Sequence, residues 1–213
     1  MSDIFREIDE ELRRDNLLKL WQRYGKYVVL VAVLAIVIAG AIVAWREYQA
    51  SERRAQSARY SAALALVREG KDTDAAKLFA VLAREGGGYG VLASFEEAEL
   101  LAKTGDRKGA VAAYDRLAGS SALESEFRDL AVLLSVMQGF PDGDAKAAIE
   151  RLQPLTEIGN PWRASALELT AAAKLKAGDR NGALDLYRKI ADDLGAPQRL
   201  RARAAEMATT LAP

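Results

Sequence analysis

The residue types that most often do chemistry in proteins are missing from this sequence or scattered along it. Its 213 residues include no histidine and no cysteine, so the commonest general base, the commonest metal ligand and the thiol nucleophile are absent. The carboxylates that cluster, Glu96, Glu97 and Glu99 or Asp192 and Asp193, have the spacing of a solvated helix face or a helix end. We therefore expect no catalytic, metal or cofactor site, with carboxylate catalysis as the alternative.

Charge and loop composition argue against two classes of ligand. The sequence has 30 lysines and arginines and 30 aspartates and glutamates. A protein that binds nucleic acid usually has an excess of basic residues on one surface. The glycine run at 86–88 lacks the lysine and the serine or threonine of a phosphate-binding loop. We expect protein partners rather than nucleic acid or a small-molecule substrate.

The longest apolar stretch, YVVLVAVLAIVIAGAIVAW, runs from Tyr27 to Trp45 and has no charge within 28–44. At about 1.5 Å per residue, a helix of this length crosses the hydrocarbon core of a bilayer, which is about 30 Å thick. Its aromatic ends favour the two interfaces. We predict a single transmembrane helix. The alternatives are a buried helix of a soluble protein, for which no other segment supplies a surrounding core, and a signal peptide cleaved near residues 39–41, which lie inside the apolar run.

The residues before the span, 1–26, are predicted to form an amphipathic juxtamembrane arm, because Ile4, Ile8 and Leu12 recur every four residues. The arm is either a solvated helix ordered by the membrane surface or a docking site. Five basic residues lie in the 15 positions before the span and four in the 15 after it, so charge favours a cytoplasmic N-terminus by one residue only. Small residues at helical spacing are candidate contacts with other membrane helices: Ala35, Ala39, Gly40 and Ala44.

The chain after the span repeats itself. KTGDRKGAVAAYDRLA (Lys103–Ala118) aligns without gaps with KAGDRNGALDLYRKIA (Lys176–Ala191), a third copy begins at Arg68 and a degenerate fourth at Gly143. One alanine marks each copy, with spacings of 35, 38 and 35: Ala75, Ala110, Ala148 and Ala183. The period and positions resemble the tetratricopeptide repeat, whose length is about 34 residues.

Each copy is predicted to be a helical hairpin. An alanine lies 12 positions before three of the markers, where two antiparallel helices cross closely: Ala63, Ala98 and Ala171. Between the helices, a glycine is expected to adopt the left-handed conformation that ends the first helix: Gly70, Gly105 and Gly178. The aspartate after it, or Asp72 with Thr73 in the first copy, is expected to cap the second helix. Phe79, Tyr114 and Tyr187, four residues after their markers, are expected to pack between hairpins, with Leu152 in the fourth copy.

The sequence therefore predicts an all-α fold, in which an N-terminal single transmembrane helix precedes a tetratricopeptide-like helical-hairpin solenoid. The predicted parts are the arm, the transmembrane helix, a linker or continuing helix, and a repeat domain of about four hairpins: 1–26, 27–45, 46–56 and 57–211. Pro197–Leu211 is predicted to cap the last hairpin. A generic alanine-rich bundle is the alternative.

The first helices of such hairpins line a concave groove, so residues beside the crossing alanines are candidate partner-binding residues: Tyr60, Leu64, Phe95, Glu99 and Glu168. This mixed apolar and acidic surface suits hydrophobic segments or a partner helix. The alternative is that Tyr60 and Phe95 belong to the core.

The order of parts and two local stretches resemble the YfgM-like ancillary subunits of the bacterial Sec translocon. The stretches are GGYGVLASFEEAELLA (Gly87–Ala102) and the region from Trp162 to KLKAGDRNGALDLY, while IFREIDEELRRDNLLKLWQRYGKYV is similar to alphaproteobacterial members. The resemblance implies a bacterial inner-membrane protein with a cytoplasmic N-terminus and a periplasmic repeat domain. Its implied partners are Sec translocon subunits, a membrane-anchored periplasmic chaperone and client chains during protein export. An envelope scaffold that bridges division or cell-wall assembly proteins is the alternative function.

Overall fold

The computed structural model describes the backbone of residues 2–212 and the side chains of residues 23–27 and 29–212. It is 83% helical, with no strand in the part that it describes. The helices follow one another in this order: α1 Ser2–Arg68, α2 Asp72–Glu85, α3 Gly87–Lys103, α4 Arg107–Ala118, α5 Ser125–Gly139, α6 Ala145–Leu152, a 3₁₀ turn Gln153–Thr156, α7 Arg163–Lys176, α8 Arg180–Asp192 and α9 Gln198–Leu211. The all-α prediction is confirmed.

The chain divides into two compact units, Met1–Ala55 and Gln56–Pro213. In the first unit, α1 contains an 18-residue window with a mean hydropathy of 3.0, none of which is buried. The aliphatic side chains of this stretch are exposed; Ile36, for example, has 73% of its surface exposed. This stretch is long and apolar enough to span a membrane, as predicted. The predicted apolar face of Ile4, Ile8 and Leu12 lies outside the described side chains.

The second unit is a row of helical hairpins. Residues 56–68 of α1 form hairpin 1 with α2, and the later pairs are hairpin 2 (α3 and α4), hairpin 3 (α5 and α6) and hairpin 4 (α7 and α8). The second helix of each hairpin contacts the first helix of the next, and α8 contacts α9. The predicted fold of helical hairpins is therefore confirmed, and α9 packs against the last hairpin.

The buried core is built from one hairpin and the helix that follows it. Ala63, Ala75 and Phe79 of hairpin 1 share a cluster with Ala93 and Leu100 of α3. Hairpin 4 is completed in the same way by apolar residues of α9: Leu200, Ala204 and Leu211. A single hairpin leaves one apolar face open to water, so each hairpin depends on its neighbour for stability.

The close helix crossings lie where the alanine spacing predicts them. The six alanines at the predicted crossings of hairpins 1, 2 and 4 have no exposed surface: Ala63, Ala75, Ala98, Ala110, Ala171 and Ala183. The predicted aromatic wedges are also buried, with Phe79 at 0%, Tyr114 at 3% and Tyr187 at 4% exposure. Hairpin 3 differs, because Val136 occupies the position 12 residues before Ala148, and Ala148 remains 8% exposed.

The turns of hairpins 2 and 4 match the prediction. Gly105 and Gly178 have φ angles of +92° and +83°, a region that favours glycine. The side chain of Asp106 accepts a hydrogen bond from the backbone N–H of Gly109, and Asp179 does the same for Gly182, both at 2.9 Å. These bonds satisfy N–H groups that the first turn of a helix leaves without partners.

The predicted cap of hairpin 1 is wrong. Helix α2 begins at Asp72, with Lys71 as the N-cap residue and no side-chain hydrogen bond to the first turn. Lys71 follows Gly70 as Asp106 follows Gly105, so lysine occupies the position where the other turns carry the capping aspartate. Asp72 instead lies inside the first turn and pairs with Lys103 of α3, whose Nζ is 2.8 Å from its Oδ2.

Candidate functional site

Tyr60 lies on the first helix of hairpin 1 and is half-buried among aromatic rings. Its ring centroid is 5.4 Å from that of Phe79 and 5.6 Å from that of Tyr89. Its hydroxyl donates a hydrogen bond to Oε1 of Glu96 at 3.1 Å. Burial and the neighbouring carboxylate of Glu96 raise the pKa of Tyr60 to about 12, because both disfavour the phenolate. Leu64, one turn further on, packs half-buried against the same core cluster.

Phe95 and Glu99 lie on α3, one turn apart. Phe95 is half-buried, and its ring centroid is 6.2 Å from that of Tyr114 on α4. Glu99 is exposed. Burial, followed by the charges of Glu99 and Glu96, raises the pKa of Tyr114. The apolar ring and the open carboxylate thus form one continuous patch beside the core.

Glu168 is half-buried on α7 and already has a partner. Both oxygens accept hydrogen bonds from the guanidinium of Arg203 on α9, at 2.5 and 2.6 Å. This two-bond geometry is the strong form of a carboxylate–arginine pair. Burial and the charge of Glu168 raise the pKa of Tyr187 beneath it. Glu168 therefore joins the last hairpin to its capping helix.

Four of the five predicted groove residues lie on the first helices of hairpins 1 and 2. Tyr60 reaches Glu96 on the next first helix, which joins the Tyr60 and Leu64 pair to the Phe95 and Glu99 pair. Glu168 lies two hairpins away and faces α9. We call the four residues on hairpins 1 and 2, together with Glu96, the first-helix patch.

Hydrogen bonds one repeat apart tie successive first helices together. Tyr60 binds Glu96, 36 residues on. The indole Nε1–H of Trp162 donates to the backbone oxygen of Glu126 at 2.7 Å, again across 36 residues. Arg203 binds Glu168 across 35 residues. Each first helix named here, and α9 at the end of the row, therefore contacts the preceding first helix about one repeat away along the chain.

The sequence argument missed apolar residues that lie near the start of the first helices. Leu92 is 48% exposed and Phe127 is 42% exposed. Tyr89, Phe127 and Trp162 are 38 and 35 residues apart, the same spacing as the last three marker alanines. This spacing could have been found in the sequence, because it places one aromatic residue at the same position of hairpins 2, 3 and 4.

The predicted membrane-contact residues, Ala35, Ala39, Gly40 and Ala44, are exposed on α1. Among the side chains that the structure describes, no three acidic groups are placed to hold a metal ion.

Comparison with known families shows which family the chain belongs to. Residues 19–207 match the model of the tetratricopeptide repeat-like domain, a stretch that includes the apolar run and all four hairpins. The chain belongs to this family. No curated protein matches it. Tetratricopeptide repeat-like domains are typically protein-binding scaffolds rather than enzymes, which agrees with the expectation of protein partners.

Proposed function

We propose that this chain is a membrane-anchored protein-binding module that serves the bacterial Sec translocon and its periplasmic chaperones during protein export. The observation that carries the proposal is the family match over residues 19–207, which joins a stretch able to span a membrane to a helical-repeat domain. The resemblance to YfgM-like proteins supports the finer assignment to the translocon.

In this proposal the span anchors the chain in the bacterial inner membrane, with residues 1–26 in the cytoplasm and the repeat domain in the periplasm. The tether raises the effective concentration of the repeat domain at the channel, so weak contacts suffice for capture. The small residues Ala35, Ala39, Gly40 and Ala44 contact a membrane helix of a partner, because small side chains allow the close approach that helix pairs in lipid need.

The first-helix patch contacts an apolar segment of the partner or client. Phe95 and the neighbouring exposed Leu92 supply apolar surface, and the exposed carboxylate of Glu99 favours a segment that also carries a cation. Tyr60 and Leu64 support the patch from hairpin 1. Glu168 takes part only where a partner competes with Arg203.

Affinity purification of the full-length protein in mild detergent, followed by mass spectrometry, tests the proposal. We expect channel subunits and a membrane-anchored chaperone, and we expect the double variant Phe95→Ser/Glu99→Lys to recover less of them. The variant Lys108→Ala, a change at an exposed residue of α4, is the control. Division or cell-wall proteins in place of channel subunits would support the envelope scaffold instead.

Topology is tested separately in spheroplasts. Protease added outside should digest the chain after about Arg46 and spare residues 1–26. A photo-crosslinker at Gly40 or Ala44 should capture a channel subunit or a membrane-anchored chaperone. A repeat domain that is digested only after lysis would be cytoplasmic, and the export role would be wrong.

A further inference from the structure

A second surface lies between the second helices of hairpins 1 and 2. Two cavities of about 340 and 530 Å³ share four lining residues, Ala83, Ser94, Leu117 and Ser120, so they form one groove. Its walls are the end of α2, residues 87–97 of α3, the second half of α4 and the loop that follows α4. We call it the α2–α4 groove.

The groove and the first-helix patch share α3 but use different carboxylates of that helix. Glu97 lines the groove, whereas Glu99 belongs to the patch. Two residues apart on a helix with about 3.6 residues per turn, their side chains point about 160° apart. These two carboxylates therefore point to different sides of α3, whereas Gly88 of the groove lies about two turns before Phe95 of the patch along the same helix.

The glycine turn at the mouth of the groove contains one glycine that the fold does not require. Gly86 and Gly87 have φ angles of +75° and +71°, which favour glycine. Gly88 has no such angle, and a Cβ added to it meets nothing within 4 Å. Glycine is also a poor residue inside a helix turn. Gly88 lines the groove, where the missing side chain leaves the backbone open to close approach by another chain.

The groove carries an excess of positive charge. Arg84 of α2 and Arg116 of α4 both line it and are exposed. Among the described side chains, neither forms an ion pair, and Glu97 is the one carboxylate in the lining. Helix α3 begins at the same place, and its N-cap residue, Gly86, provides no side-chain cap. The positive end of the helix dipole thus adds to the field of the two arginines.

We propose that the α2–α4 groove binds an extended acidic segment of a protein partner, with a carboxylate between Arg84 and Arg116 and its backbone over Gly88. The positive charges of the two arginines favour an acidic segment over a neutral or basic one. Small side chains such as Ala80, Ala83 and Ala113 leave room in the groove for an aliphatic side chain of the segment. This inference rests on the proposed role as a protein-binding module and gives it a second binding site.

The test uses the full-length protein in lipid nanodiscs and a phage-displayed library of random 12-residue peptides as the probe. We expect the selected peptides to be rich in Asp and Glu, and their affinity to fall at least tenfold in Arg84→Gln/Arg116→Gln. The matched control is Arg188→Gln, which removes an exposed arginine from α8. Selection of neutral or basic peptides, or equal affinity for the double variant, overturns the proposal.

Gly88→Ala separates binding from folding. We expect its melting temperature to equal or exceed that of the unchanged protein, while its affinity for the selected peptides falls. Gly139→Ala, where an added Cβ meets only Val111 at an ordinary 3.5 Å, should leave affinity unchanged. Full affinity in Gly88→Ala means that no backbone passes over this residue.

The two proposals fail in different ways. If the purification recovers no channel subunits but the acidic peptides still bind, the translocon role alone is wrong. If channel subunits are recovered but the acidic peptides do not bind, the groove proposal alone is wrong.

Discussion

Hairpins 2 and 4 close by a local device, whereas hairpin 3 adds a contact from the next repeat to its own local cap. In hairpins 2 and 4, a left-handed glycine and a capping aspartate complete the turn within a few residues. In hairpin 3, Asp144 caps α6, but the turn before it is held by Lys176 of α7. The Nζ of Lys176 donates to the backbone oxygens of Phe140, Pro141 and Gly143 at 2.7, 3.0 and 2.8 Å.

The difference shows how a repeat protein tolerates a degenerate copy. A turn without the local signal leaves carbonyl groups unpaired, and a cation from the neighbouring repeat satisfies them at the end of a helix. The crossing in hairpin 3 is also looser, because a cavity of about 130 Å³ lies against Ala148. Hairpin 3 therefore depends more on its neighbour than hairpins 2 and 4 do.

The largest expected effect is at the helix crossings. Ala110→Leu should lower the free energy of unfolding by about 1–3 kcal/mol, because the added carbons overpack a site with no exposed surface. Ala148→Leu should cost less, since the neighbouring cavity accepts part of the side chain. Urea unfolding measures both, with Ala112→Leu, at an exposed alanine of α4, as the control. Equal costs for Ala110→Leu and Ala112→Leu would mean that Ala110 is not at a close crossing.

Lys176→Met tests the contact that holds hairpin 3. We expect a loss of about 1 kcal/mol and faster hydrogen exchange or proteolysis at residues 139–144, because three carbonyl groups lose a charged donor. Lys189→Met, at an exposed position of α8, is the control. Unchanged exchange at residues 139–144 would show that the turn holds without the lysine.

The missing cap of hairpin 1 offers a stabilising change. Lys71 has φ and ψ of −86° and 54°, close to the −80° and 68° of Asp106. Lys71→Asn should therefore place an acceptor at the first turn of α2 and raise stability by about 0.5 kcal/mol. The exposed pair between Lys71 and Glu69 contributes little in water. Thermal unfolding should show a higher melting temperature, with Lys77→Asn, later in the same helix, as the control. A lower melting temperature for Lys71→Asn would contradict the expected cap.

The smallest expected effect is a pH dependence of the hairpin 4 turn. The hydrogen bond from Lys174, followed by that from the N–H of Gly182, holds the pKa of Asp179 below its ordinary value. Such a group stabilises the fold above its ordinary pKa and loses that contribution as the pH falls through the lowered value. The difference in melting temperature between the unchanged protein and Asp179→Asn should shrink from about pH 6 to about pH 2. A constant difference would show that the charge of Asp179 does not matter.

The sequence determined the helical hairpins, their crossings and two of their turns, because these features rest on interactions within one copy. Alanine spacing located the crossings at Ala63, Ala98 and Ala171, and the Gly-Asp pairs located the turns of hairpins 2 and 4. The apolar run identified a stretch able to span a membrane by length and composition alone.

The polar contacts between copies were decided only by the tertiary structure. The bond between Tyr60 and Glu96, the pairing of Glu168 with Arg203 and the hold of Lys176 on the hairpin 3 turn join residues 33 to 36 positions apart. Many side chains lie one repeat apart, so sequence spacing alone does not select the pairs that touch. The α2–α4 groove is hidden for the same reason, since Arg84 and Arg116 line one cavity only when the two hairpins stack.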